Sequence, residues 1–188
     1  MALRRTTDAT SEPVTVEETK RAVRVIASAE DAEIEQLIKD VRPVAEKELR
    51  RSLMTQTWTK TLDQFPDAIE LPYPPIIDVT SLKYFDANGV QQTMDPSLYT
   101  VDSQSEPGWI VPAYGTSWPD TLAAINAVEV VYRAGYASAA AVPPQVKRWI
   151  KLMVGHYYEN REASMPGVSI VALPFLDHLL DGERILGF

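Results

Sequence analysis

The chain has 188 residues, 45% hydrophobic and 23% charged, which suffices for one ordinary domain, or one with an insertion, and excludes wholesale disorder. It has no cysteine, which excludes disulfides and thiolate metal sites, and no apolar run approaches the ~18 residues of a membrane span. A net charge of −8 excludes a chain that grips nucleic acid over a broad basic surface.

The acidic excess is local. Residues 54–142 carry three Lys/Arg against ten Asp/Glu, while 1–53 and 143–188 are close to balance. Residues 1–13 are polar and without periodicity, and read as a flexible lead. Their arginine pair, Arg4-Arg5, has no apolar stretch after it and does not read as a signal peptide. Thr15 and Glu18 then have the T-x-x-E spacing of a capping box, with Val14 placed as a hydrophobic staple. They predict a short helix ending near Val25. Ser28 is the cap candidate for a longer helix striped by Ile34, Leu37, Ile38, Val41, Val44, Ala45 and Leu49, and closed by Arg50 and Arg51. Pro43 lies inside that stripe and predicts a kink, because proline removes a backbone donor and clashes with the preceding turn.

Near Leu53 the period falls from about 3.6 to 2. In Thr55–Leu62 threonine takes every odd position, with Trp58 and Leu62 on the other face. Further strands are predicted at Ile69–Leu71, Ile76–Phe85, Leu98–Val101, Trp109–Val111 and Ala127–Arg133. Asn88-Gly89 predicts a hairpin returning through Val90 to Thr93.

The strongest helix signal is Pro143–Glu162. Prolines mark its start, and Val146, Trp149, Ile150, Met153, Val154 and Tyr157 recur on one face. Its charges oppose the helix dipole: Lys147, Arg148 and Lys151 lie near the N-terminal end, Glu159 and Glu162 near the C-terminal end. They are either solvated at a small penalty or matched by partners elsewhere. Ser164-Met165-Pro166-Gly167 breaks the pattern, Pro174–Leu180 predicts a short amphipathic helix ended by Gly182, and the tail Ile185, Leu186, Phe188 is apolar. That tail docks on its own domain or on a partner. The economical architecture is α+β: a mainly helical core of 1–53 plus 143–188, with an antiparallel β insertion at 54–142.

Catalytic patterns are scarce. His156 and Glu159 share a helix face, but a metal site needs a third ligand, and no H-E-x-x-H cluster supplies one. No G-x-S-x-G, P-loop or G-x-G-x-x-G is present, so neither an enzyme nor a cofactor is expected. Trp58, Trp109, Trp118, Tyr114 and Tyr136 are either core and loop anchors or a stacking surface for bases or sugars.

Several stretches in order carry a resemblance. They are Glu12–Glu18, Thr55–Pro66, Pro74–Tyr84, Asp86–Gly89, Asp95–Tyr99, Pro112–Pro119, Arg133–Tyr136 and, most specifically, Gly155-His156-Tyr157-Tyr158-Glu159-Asn160-Arg161-Glu162. The set resembles the head–tail connector (adaptor) proteins of tailed phages and prophages. The resemblance implies a helical connector core and a structural virion role without an active site. It implies a ring of identical copies, commonly twelve-fold, below the portal protein. Such a ring extends the DNA channel and gives a tail-completion or stopper protein its platform. Double-stranded DNA would pass without sequence recognition, no membrane would be involved, and assembly would occur in the host bacterial cytoplasm before residence in the virion neck. Lys147, Arg148, Lys151, Tyr158, Glu159, Arg161 and Glu162 become the expected subunit interface. Ile185, Leu186 and Phe188 become the expected docking residues for the portal or a neighbour. The competing reading is a soluble, non-enzymatic binding module that recognises a basic or carbohydrate partner through an acidic, aromatic-bearing β domain.

Overall fold

A computed structural model describes residues 1–160 and 178–185. The chain divides into two units, Met1–Thr10 with Thr55–Tyr136, and Ser11–Met54 with Ala137–Phe188. Among the described residues no helix is long and apolar enough to cross a membrane.

The first unit is built from strands. β1 (Ala2–Thr7), β2 (Gln56–Leu62), β4 (Ile76–Phe85), β5 (Gln91–Thr93) and β8 (Val128–Ala134) form an antiparallel sheet in the order β1-β2-β8-β4-β5. β3 (Ile69–Leu71), β6 (Tyr99–Asp102) and β7 (Gly108–Pro112) form a second sheet in the order β3-β7-β6. Alternation decides which side chains meet. Trp58, Leu62, Leu82, Val130 and Tyr132 from the larger sheet join Ile69, Leu71, Tyr99 and Ile110 from the smaller in one buried cluster. Trp58 stacks on Tyr73, with ring centroids 4.3 Å apart, and the buried Tyr132 hydroxyl donates to the Pro72 carbonyl at 2.8 Å. At Gly108 a Cβ would stand 2.6 Å from Ile76 Cγ1, so only glycine lets β7 approach this closely. Across the hairpin, Gly89 takes a φ of 79° while Lys83 to Phe85 pair with Gln91 to Thr93.

The second unit holds α1 (Val16–Val23), α2 (Asp31–Leu49) and α3 (Pro144–Glu159). The capping box of α1 is formed: Glu18 N–H donates to Thr15 Oγ1 at 3.1 Å, and Thr15 N–H donates to Glu18 Oε2 at 3.2 Å. Ile34, Ile38, Val41, Ala45 and Leu49 form the buried stripe of α2, and Val146, Trp149, Ile150 and Val154 that of α3. Arg42, only 2% exposed, lies between Glu12 (Nε–Oε2, 2.9 Å) and Glu46 (Nη1–Oε2, 3.3 Å). Glu46 also accepts from the Leu53 N–H at 3.0 Å, tying down the segment that leaves α2. The C-terminal carbonyls of α2 find partners in the 178–185 stretch: Ile185 N–H donates to Leu49 O at 3.0 Å and Arg184 Nε to Glu48 O at 3.2 Å.

Two expectations are corrected. The chain is not a mainly helical core with a β insertion; its described residues form three α-helices and eight strands in two antiparallel sheets, and it is β-rich. The strands bury a core of their own, which the strong 3.6-residue stripes at the two ends of the chain overshadow in the sequence. Part of the polar lead is not flexible but forms β1, with Leu3 opposite Lys60 and Arg5 opposite Trp58. An edge strand held by backbone pairing needs no apolar alternation of its own. α2 is continuous through Pro43, the position where the sequence predicts a kink. Val41, Arg42, Ala45 and Glu46 are buried on both sides of the proline, and their packing holds the helix across the missing donor.

Replacing Arg42 by Met strands two largely buried carboxylates. A loss of about 3–5 kcal/mol is expected in urea unfolding followed by helical circular dichroism, with much of it recovered when Glu12→Gln and Glu46→Gln are added.

Candidate assembly interface

α3 begins at Pro144, where a missing backbone donor leaves no bond unmade, and it ends at Asn160, whose side-chain amide donates to His156 O at 2.9 Å. Its N-terminal cations are not equivalent. Lys147 is half-buried and its ammonium donates to the Ala139 carbonyl at 3.1 Å. Arg148 is exposed and Lys151 half-buried, and neither has a hydrogen bond or ion pair among the described residues. Arg148 stands in the second turn of α3 and Lys151 near its middle, where the helix itself offers them no counter-charge and an external anion would pair with them. Leu152 follows them on the outer face and is also exposed. Tyr158 is half-buried and Glu159 exposed; Tyr157, expected on the buried face, turns partly outward. Arg161 and Glu162 lie outside the described residues. So do Leu186 and Phe188 of the tail, whereas Ile185 is held on its own unit through Leu49.

The second surface includes Trp109 and Tyr114, which the sequence leaves as either anchors or a stacking surface. On the three-stranded sheet, Glu70, Trp109 and Asp102 stand opposite one another across β3, β7 and β6, and Thr100 stands opposite Val111. These side chains face away from the buried Ile110. Trp109 is 37% and Val111 38% exposed, with Leu98 and the fully exposed Tyr114 also bare to solvent. The other indoles behave differently: Trp58 is buried against Tyr73, and Trp118 stacks on Phe65 at 4.6 Å. Acids flank the patch. Asp102 accepts from the Ser105 hydroxyl at 2.6 Å and from the Ser105 and Gln104 N–H groups, which hold its carboxyl below the usual range. The Ser97 N–H does the same for Asp95. Both are anionic well below neutral pH. Exposure alternates along β7, with Trp109 and Val111 bare and Ile110 buried, but all three residues are apolar, so the sequence carries no alternation that marks this face.

The cations of the strand unit are mostly committed. Lys60 is buried and donates to Glu70 O at 2.6 Å, and desolvation pushes its ammonium below the ordinary lysine range. Arg133 forks onto Asp78. Arg5 bonds Gln56 at 3.2 Å. Little positive charge is left to hold phosphates. Among the described residues no group of three or more His, Asp or Glu is placed to hold a metal ion. His178 pairs with Asp181 at 2.9 Å on the surface, and the His156 ring lies beside Tyr157.

No family model matches the chain, and no curated protein does. Solved structures do. A chain in the neck of an empty GTA particle computed with C6 symmetry has a TM-score of 0.81 and 22% identity, covering 100% of this chain and 97% of that one. A chain in the virion of a native gene transfer agent particle has a TM-score of 0.79 and 22% identity, with the same coverage. A chain in the neck of the native particle computed with C12 symmetry has a TM-score of 0.74 and 21% identity, again with that coverage. At these identities the likeness establishes a shared fold over the full length of both chains.

Replacing Lys147 by Ala removes a bond to the backbone at Ala139 and is expected to lower stability by about 0.5–1.5 kcal/mol, whereas Arg148→Ala leaves the urea midpoint unchanged.

Proposed function

We propose that the chain is a structural subunit of the neck of a phage-like particle: a head–tail connector (adaptor) that forms a homo-oligomeric ring below a portal protein, extends the DNA channel and gives a tail-completion or stopper protein its platform. One observation carries this reading: both units of the fold are matched by a chain of a GTA particle neck, with 100% of this chain and 97% of that chain covered. The C6 and C12 symmetry of those necks supports repetition of the subunit around an axis. The charge distribution supports passage of DNA without retention. The strand unit is acidic, and Lys60, Arg133 and Arg5 are engaged within the protein. Arg148 and Lys151, without partners among the described residues, support α3 as a subunit contact. The residence that follows is the virion, with assembly in a bacterial host.

Native mass spectrometry over a concentration series, with negative-stain imaging of the same sample, tests the reading. A discrete closed ring, twelve-fold or a divisor of it, is the expected result. A strict monomer at every concentration would overturn it.

A further inference from the structure

Two surfaces of opposite character lack partners, one in each unit. The outer face of the small sheet has an apolar centre, Trp109 and Val111, with the carboxylates of Glu70 and Asp102 directly opposite the indole on either side. An exposed tryptophan ringed by charge is the anatomy of a contact rather than of an idle surface. The outer stripe of α3 is the reverse: Leu152 flanked by two cations, Arg148 and Lys151, that have no partner among the described residues.

We propose that the Trp109 face of one copy docks on the Arg148–Leu152 stripe of a second copy of this chain. Leu152 meets the indole, while Arg148 and Lys151 meet Glu70 and Asp102. The inference rests on the ring reading and adds the contact that would build it. Charge complementarity selects the occupant. The carboxylates call for cations beside an apolar group, and the same chain presents that combination in equal number. A guanidinium beside the indole adds cation–π attraction. Because the two patches differ, the contact is heterologous, and a heterologous contact repeated about an axis closes a ring. The strand edges of the large sheet are poorer candidates. β1 carries an arginine pair and a register shift between Arg5 and Thr7, and the other edge, β5, is only three residues long, features that blunt an edge against pairing.

The absence of native cysteine makes the test clean. A double variant, Trp109→Cys with Leu152→Cys, is treated with an oxidant under conditions in which the unsubstituted chain forms rings. A ladder of covalent oligomers on a non-reducing gel is expected, with each single variant remaining monomeric. Rings without a ladder would overturn the docking contact and leave the ring reading standing. Dimers from Trp109→Cys alone would also overturn it, since they report a two-fold contact. If the unsubstituted chain forms no ring, both readings fail together. Charge reversal gives an answer that does not depend on the cysteine variants. Glu70→Lys alone, and Arg148→Glu with Lys151→Glu, are each expected to weaken assembly at least about tenfold, and mixing the two proteins to restore it. Assembly of either reversed protein at the level of the unsubstituted chain would overturn the contact.

Discussion

The ladder between β2 and β8 is the contact on which the rest of the chain depends. It runs from Gln56 opposite Ala134 to Leu62 opposite Val128 without a register shift, and it pairs Trp58 with Tyr132. Each of these strands then carries another: β1 on the far side of β2, and β4 on the far side of β8. The ladder also sets the two ends of the strand segment side by side, where the Thr55 hydroxyl donates to the Tyr136 carbonyl at 3.2 Å. Two stretches far apart in sequence thereby leave from one place, and α1 and α2 can share a unit with α3. One long-range pairing thus decides both units. Such a pairing closes a long loop before any of its contacts form, so it is a late commitment for the chain.

Within the helical unit a second constraint operates. Arg42 is buried with its charge, and the structure answers it with Glu12 on one side and Glu46 on the other. Burial of this kind is favourable only while every member is present. It joins the segment before α1 to the middle of α2, and through the Leu53 N–H to the residues that lead into β2.

Local signals were legible where a short-range rule decides the structure. The Thr15–Glu18 box, the Asn88-Gly89 turn, and the alternation of Trp58 and Leu62 with threonines all depend on neighbours within a few residues. What was missed depends on distant partners. β1 has almost no apolar pattern because its bonds go to the β2 backbone, so its residues read as a loose lead. The weight of the fold was misjudged for a related reason: strands of three to five residues such as β3, β6 and β7 have weak periodicity, yet Ile69, Leu71, Tyr99 and Ile110 in them fill a core. Of the candidate interface, the misplaced cations of α3 were visible in the sequence. The Trp109 face was visible only as one of two alternatives, because an indole is core or surface according to the strand register, which no single stretch reveals.

Cryo-electron microscopy of the assembled protein tests the proposed ring role most directly. The expected reconstruction is a closed ring with rotational symmetry around an open channel, in which Arg148 and Lys151 of every copy are covered by a neighbour. A soluble particle with one copy, an open filament, or a ring in which those cations all face solvent would contradict it.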